Sequence, residues 1–302
     1  MTTPPPRTAT DEVTAQFLEY RELLFAVGYN MLGTVTDTED VLQEAWLAWA
    51  GRHRDPTAAP IDNPRAYLVR LTANQALSRR TEIGRRRETY VGPWLPEPLI
   101  TEEDSVTGPL ERKQSLSTAV LVLLETLSPV ERAVFVLHDV FGFPHPEIAE
   151  MLDRSPTSIR QLASRARKHL DARRPVRHTD PIPAGLAERL AEATLRGDLP
   201  TLLELLAPDV TLLTDSGGLG PAQSLAPVHG RTAVAAIFMA IATQLSNRHV
   251  AIHYRRVAED PCVLIFTEDS PLAAVVIDPT PAGDQIEAVY SVTNPNKLTR
   301  IH

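Results

Sequence analysis

Apolar positions recur at helical spacing through most of the first 180 residues and give way to strand-like runs near the C-terminus, dividing the chain into three blocks. The first, 12–90, holds helical patterns that end in the basic run Arg85-Arg86-Arg87. Pro93, Pro96, Pro98 and Pro109 then break any helix, so 91–111 reads as a linker. The second block, 112–177, is helical again, and prolines at 175, 181 and 183 mark its joint to the third, 184–302. That block opens with helical patterns and ends in the segments Val250–Val257, Cys262–Thr267, Leu272–Ile277 and Gln285–Val292. Their Val, Ile, Tyr and Phe content, with Asp, Pro and Gly between them, predicts strands.

Local signals sharpen the second block. Ser128-Pro129-Val130-Glu131 forms a capping box with proline at the first helical position. The predicted helix carries Val130, Ala133, Val134, Leu137 and Phe141 on one face and stops at Gly142 and Pro144. A short helix over Pro146–Leu152 and a turn at Asp153-Arg154 lead to a third helix opened by Ser155 and Pro156. At about 100° per residue, Ile159, Leu162, Ala163, Ala166 and Leu170 share one face of it. Thr157, Arg160, Gln161, Ser164, Arg167 and Lys168 share the other, with Arg165 beside them. Arg and Gln can bond base edges in pairs while Lys and Ser hold phosphates, which is the equipment of a helix lying in a DNA major groove. An isolated basic face is more often simply solvated, but the short helix and tight turn before this one make a helix-turn-helix.

In the first block, Thr36-Asp37-Thr38-Glu39 predicts a second capping box. The helix after it buries Val41, Leu42, Ala45, Trp46 and Trp49 and turns Asp37, Asp40, Gln43, Glu44 and Leu47 outward. Asn63-Pro64 starts a further helix through Asn74 to Arg80, in which Tyr67 reads as core. Arg65, Arg70, Arg79, Arg80 and the 85–87 run can meet an exposed nucleic-acid backbone, and the loop at 51–62 can help form a base pocket.

Whole-chain charge argues against nucleic acid, since the chain carries a net −8. From 151 to 177, however, eight Arg and Lys face only Asp153 and Asp171, and affinity follows such a local patch. Cys262 is the only cysteine, which excludes a disulfide framework or a Cys-rich zinc site. No cofactor or metal is expected. The longest uncharged apolar run, 233–242, is about half of the ~20 residues a membrane span needs, and 1–10 does not read as a signal peptide. The cytoplasm is the expected compartment.

Taken together, these motifs resemble the extracytoplasmic-function sigma factors of the sigma-70 family. Leu127–Arg132, Glu147–Leu152 and Ser164–Lys168 are similar to region 4, which reads the −35 promoter element. Asp153 stands where that family often has glycine. Thr36–Trp49 is similar to region 2.2, which implies that Asp40, Gln43 and Glu44 contact the clamp helices of the β′ subunit of core RNA polymerase. Asn63–Arg80 is similar to regions 2.3 and 2.4, implying −10 contacts from Arg65, Asn74, Arg79 and Arg80, with Ser78 where Asp is common. The third block resembles the SnoaL-like cone, through Gly197–Leu199, Pro208–Val210, His229–Arg231 and the strands that follow.

A subgroup of these sigma factors carries such a domain and shares three further motifs. Here they read Trp94-Leu95-Pro96-Glu97-Pro98, Asp215-Ser216-Gly217-Gly218 and Asn294-Pro295-Asn296-Lys297-Leu298, departing from the pattern at Ser216 and Asn296. The resemblance implies regulation by the appendage, packed on region 2 and the linker, with Trp94, Pro96, Asp215, Asn294, Pro295 and Lys297 involved. Trp94, a large aromatic in a proline-stiffened segment, suits an anchor as well as it suits local packing. The expected architecture is two all-α sigma domains, a region 2 bundle and a region 4 helix-turn-helix, plus a C-terminal α+β SnoaL-like cone-shaped barrel.

The expected partners are core RNA polymerase and promoter DNA, with no membrane; a separate anti-sigma factor is possible and not required. Two other readings compete: a ligand-sensing helix-turn-helix regulator, and a DNA-binding head fused to a small enzyme. For the latter, Asp215, His229 and Asp278 are the acid–base candidates, although Asp215 reads first as a turn residue and the chain as a non-enzyme. His249 and His253 have metal-like spacing only on a helix, and they fall on a predicted strand.

Overall fold

A computed structural model describes residues 9–101, 116–171, 185–258 and 260–302. The prolines at 109, 175, 181 and 183 and the basic residues 173, 174 and 177 lie outside them, as do the side chains of Arg86 and Arg87. The chain forms two compact units. One comprises Met1–Arg85, Thr107–Ser115 and Leu123–Arg173, the other Arg86–Val106, Leu116–Val122 and Arg174–His302. Most of the segments read as regions 2 and 4 thus share one unit, while the described part of the linker and the start of the region 4 segment, Leu116–Val122, belong with the C-terminal block.

The first unit is helical. Helices α1 (Ala9–Leu32) and α2 (Val35–Arg54) form a hairpin around Gly33, whose φ of 77° ends α1. Thr34 is the N-cap of α2, so the helix begins two residues before the expected box at 36–39. Thr34 binds Asp37 through its hydroxyl at 2.6 Å, and Glu39 pairs with Arg21 instead of closing a cap. Helix α3 (Pro64–Arg87) follows, with Asn63 accepting the Ala66 N–H at its start. Leu24, Val27, Val41, Ala45, Trp49, Leu68 and Ala73 are fully or nearly fully buried between these helices.

Helix α4 (Thr118–Leu124) falls mostly to the second unit; α5 (Pro129–Phe135) then opens with the reciprocal Ser128–Glu131 capping box. The expected continuous helix to Phe141 instead widens into a π turn at Val136–Val140, where the Phe141 N–H reaches the Val136 carbonyl at 3.2 Å. Helices α6 (His145–Met151) and α7 (Pro156–Asp171) complete the set. Asp153 between them has φ 50°, the left-handed conformation that glycine takes most readily and that Asp tolerates better than most residues. That explains how Asp occupies this position without breaking the turn.

The second unit is α+β. Among the described residues its seven strands are β1 (Ile100–Thr101), β2 (Leu206–Asp215), β3 (Val228–His229), β4 (Val250–Val257), β5 (Asp260–Thr267), β6 (Ser270–Pro279) and β7 (Ile286–Val292). They lie in the order β1-β4-β5-β6-β7-β2-β3, with β2 parallel to β7 and every other pair antiparallel. Strand β2 was not expected; Pro208 and Asp209 disguise it, and a register shift between Leu206 and Thr211 accommodates them.

Period-two alternation gives the sheet two apolar faces. Leu212, Val263, Val275, Ile277 and Val289 meet α8 (Leu186–Arg196), α9 (Leu199–Leu205) and α10 (Arg231–Leu245) on one. Cys262, Leu264, Val276, Tyr290 and Val292 meet Leu95, Ala119, Leu298 and Ile301 on the other. The linker therefore covers the outer face of the cone.

Candidate functional site

Helix α7 divides as its sequence predicts. Ile159, Leu162, Ala163, Ala166 and Leu170 are buried, while Thr157, Arg160, Gln161, Ser164, Arg165, Arg167 and Lys168 are all exposed. Arg167 pairs with Asp139 at 2.7 Å and Arg165 lies 3.7 Å from Glu131, both through exposed guanidinium groups that solvent screens. Arg160 returns Nε to the Pro156 carbonyl at 3.3 Å, a bond between exposed groups.

On α2, Asp40, Gln43 and Glu44 are exposed, and Leu47 projects beside them with 62% of its surface accessible. Trp46 lies at the helix edge, half-buried against Phe17. Arg79 from α3 meets both acids, Asp40 at 3.5 Å and Glu44 at 3.1 Å. An expected DNA-binding residue and two expected polymerase contacts therefore form one ion-pair group on the surface of this unit.

Most of the other α3 candidates are also engaged within the unit. The Arg65 guanidinium lies 4.6 Å from the Phe143 ring centroid, and Asn74 donates to the Met151 carbonyl at 2.9 Å. Arg80 departs from expectation: it is 8% exposed and donates to Glu125 at 2.6 Å and to the Leu32 carbonyl at 3.4 Å. It is a buried structural cation here, not a surface group facing nucleic acid. Arg132, fully enclosed, donates to the other Glu125 oxygen at 2.5 Å and to the Asn30 carbonyl at 2.9 Å. Its Nη2 is buried without a hydrogen-bond partner among the described residues. Burial draws the Arg80 guanidinium down to about 10, and burial together with the Arg80 charge draws Arg132 well below its usual value. Glu125 was not singled out in the sequence, and Arg132 entered only as the last residue of the Leu127–Arg132 motif.

The C-terminal unit brings three distant motifs to one point. Asp215 ends β2 with no exposed surface. Its Oδ2 accepts from the Leu95 N–H at 2.8 Å and from Lys297 Nζ at 2.6 Å, and its Oδ1 accepts from the Tyr90 hydroxyl at 2.5 Å. Lys297 also donates to the Leu95 carbonyl at 2.5 Å and lies 4.0 Å from the Trp94 ring centroid, a cation–π contact. Asn294 caps the 3₁₀ turn Pro295–Lys297 by accepting the Asn296 N–H, and it donates to the Tyr90 hydroxyl at 2.8 Å. Backbone N–H groups of Thr293 and Asn294 both reach the Asp215 carbonyl.

The glycine turn after Asp215 is needed for close approach. A Cβ on Gly217, at φ 57°, would run into the Asn294 side chain, and one on Gly220 would run into the Thr293 carbonyl. In the linker, Leu95, Pro96, Glu97 and Pro98 are buried while Trp94 is only half-buried, so Leu95 sinks deepest. Tyr90, which closes the cluster, was missed, since a lone Tyr after an arginine run carries no motif.

The acid–base candidates are dispersed. His229 is exposed and shares a 3.1 Å hydrogen bond with Thr211, while Asp215 is bound up as described and Asp278 is buried on β6. His253 lies on β4 with its ring against Phe266, and no metal-binding cluster occurs among the described residues. No described helix is long and apolar enough to cross a membrane.

Comparison with known proteins agrees with this geometry. Residues 17–86 match sigma-70 region 2, and residues 117–170 match sigma-70 region 4. The chain belongs to the extracytoplasmic-function sigma-70 family, whose members are RNA polymerase sigma factors that direct transcription initiation. It is 42% identical over 212 residues to the ECF RNA polymerase sigma factor SigJ of Mycobacterium tuberculosis, covering 68% of this chain and 66% of that one. To the probable ECF RNA polymerase sigma factor SigI of the same species it is 32% identical over 209 residues, covering 66% of this chain and 69% of that one. These matches span about two thirds of the relatives' lengths. The crystal structure of M. tuberculosis SigJ superposes with a TM-score of 0.74 at 33% identity, over 95% of this chain and 98% of that one.

Proposed function

We propose that the two units divide the work of promoter-directed initiation. Helix α7 reads −35 DNA through Arg160, Gln161, Arg167 and Lys168, with Thr157, Ser164 and Arg165 holding phosphates. Asp40, Gln43 and Glu44 engage the clamp helices of core RNA polymerase, with exposed Leu47 as an apolar contact. Arg65, Asn74 and Arg79 serve the −10 region once released from their present partners, and Arg80 keeps its buried place. The domain limits follow the same reading: 12–90 for region 2, 91–111 for the linker, 112–177 for region 4 and 184–302 for the appendage. The appendage regulates by holding the linker at the Asp215–Lys297 pair. It performs no chemistry in this reading, because both Asp215 oxygens already accept strong hydrogen bonds.

One observation carries the proposal: a fully two-faced α7 occurs in the same unit as an acidic α2 surface. Run-off transcription with core polymerase tests it. Replacing Arg160 and Lys168 by Ala should abolish promoter-specific product while core binding by gel filtration persists. Replacing Asp40 and Glu44 by Lys should abolish core binding itself. Specific duplex binding of equal strength with and without core would favour the ligand-sensing regulator and overturn the reading.

A further inference from the structure

The face of the sheet opposite the linker holds a cavity of about 280 Å³ beneath α8 and α10. Leu212, Phe238, Ile241, Val263, Ile265 and Val275 are among its walls, all apolar. Apart from Thr194, whose hydroxyl is bonded to the Leu190 carbonyl within α8, its hydrogen-bonding side chains gather at one end, and strand register explains why. Thr214 and Ser291 are paired neighbours near the ends of β2 and β7, and Val250 opens β4 opposite Thr267 at the end of β5. Arg248 and Gln244 immediately precede Val250, so they border the same mouth, as does Gln223. The other ends of these strands run into the packed core of Leu205, Leu206, Ile277 and Ile286.

The side chains of Gln223, Gln244 and Arg248 are exposed and make no hydrogen bond or ion pair with any described residue. No Asp, Glu, His, Cys, Tyr or Lys lines the cavity among the described residues, so Arg248 is its one ionisable group. A largely apolar, half-open pocket with a few convergent polar groups at its entrance is built to hold a ligand, and because no base lines it to activate the Thr214 or Ser291 hydroxyl it is built to hold rather than transform one.

We propose that this cavity binds a small amphiphilic carboxylic acid, its apolar body inward and its carboxylate on the Arg248 guanidinium. An anionic head suits an unpaired guanidinium, which presents a planar fork of donors to a carboxylate. At roughly 30 Å³ per non-hydrogen atom, the share of one water in the liquid, the space holds about nine atoms. Straight-chain acids of about eight to ten carbons are therefore the probes. Asp215 and Lys297 do not line it, although Thr293, which does, hydrogen-bonds the Asp215 carbonyl; failure of this site would leave the sigma-factor reading untouched.

Calorimetric titration of the full-length protein with hexanoate, octanoate, decanoate and decan-1-ol tests it. Affinity should rise about fourfold per methylene until the cavity is full, as expected for burying methylene groups. Decanoate should bind at least tenfold tighter than decan-1-ol, and Arg248→Gln should remove that advantage without weakening the alcohol. Ala273→Phe, which fills the cavity, should abolish binding of both. Should that variant lose its native circular dichroism, Ile237→Trp at a half-buried wall position replaces it. Absence of saturable octanoate or decanoate binding below the micellar range would overturn the proposal. So would full-strength binding by a folded cavity-filled variant, or an acid-over-alcohol preference that survives Arg248→Gln.

Discussion

Replacing Asp215 by Asn keeps the shape of the side chain and removes its charge, and it isolates what holds the linker. The carboxylate accepts three hydrogen bonds, from the Leu95 N–H, the Tyr90 hydroxyl and Lys297 Nζ. An amide has only one accepting oxygen, so its NH₂ must point at a donor in either orientation. If the oxygen stays with Tyr90, the amide faces both Leu95 N–H and the Lys297 ammonium. The Lys297 side chain is 8% exposed and Asp215 is fully buried, so solvent does not screen the loss. Removing one partner of a buried pair costs about 3–5 kcal/mol, because the other charge stays buried and uncompensated. The linker can escape that penalty by undocking, which makes the change local rather than global. At about 1.4 kcal/mol per decade, hydrogen exchange at the Leu95 amide should accelerate roughly 10²- to 10⁴-fold. Amides at the centre of β5 and β6 should keep their protection. Unchanged Leu95 exchange in a folded Asp215→Asn protein would refute the idea that this ion pair holds the linker.

Three further outcomes follow from other sites. Glu125→Gln leaves Arg80 and Arg132 buried with the one carboxylate they share neutralised, and should lower the urea-unfolding free energy of the helical unit by about 3 kcal/mol; replacing all three residues with apolar ones should cost far less. Gly217→Ala adds a Cβ against Asn294 at a left-handed φ, and should raise proteolytic cleavage of the linker at Tyr90 or Trp94 at least tenfold without unfolding the sheet. Burial pushes the Cys262 thiol up to about 12. Its folded value lies above the ordinary ~8.5, so its stabilising contribution is complete below that pH and is lost as pH rises toward 12. Native protein should therefore resist iodoacetamide at pH 8.5 under conditions that label the urea-unfolded chain within minutes.

What the sequence revealed and concealed follows from where each interaction partner lies. The two faces of α7 and the Ser128–Glu131 cap were legible because their determinants sit within one or two turns of each other. Strand β2 was hidden because its partner β7 lies some 80 residues downstream, and parallel pairing leaves no local turn signal. Arg80 was misjudged for a different reason. It falls at helical spacing with Val69, Ala73, Ala76 and Ile83, all buried, so periodicity alone already assigned it to the inner face of α3. Its charge drew it instead toward the expected DNA surface. Glu125, 45 residues away, and the Leu32 carbonyl make the inner position tolerable, and no local pattern announces either partner. The Asp215–Lys297 pair works the other way round. Its members are 82 residues apart and invisible to periodicity, yet each sits in a short motif whose resemblance to a sigma-factor subgroup marked it. Buried charge is thus the point at which local pattern reading fails, because a charge survives burial only through a partner that the fold, rather than the neighbouring sequence, supplies.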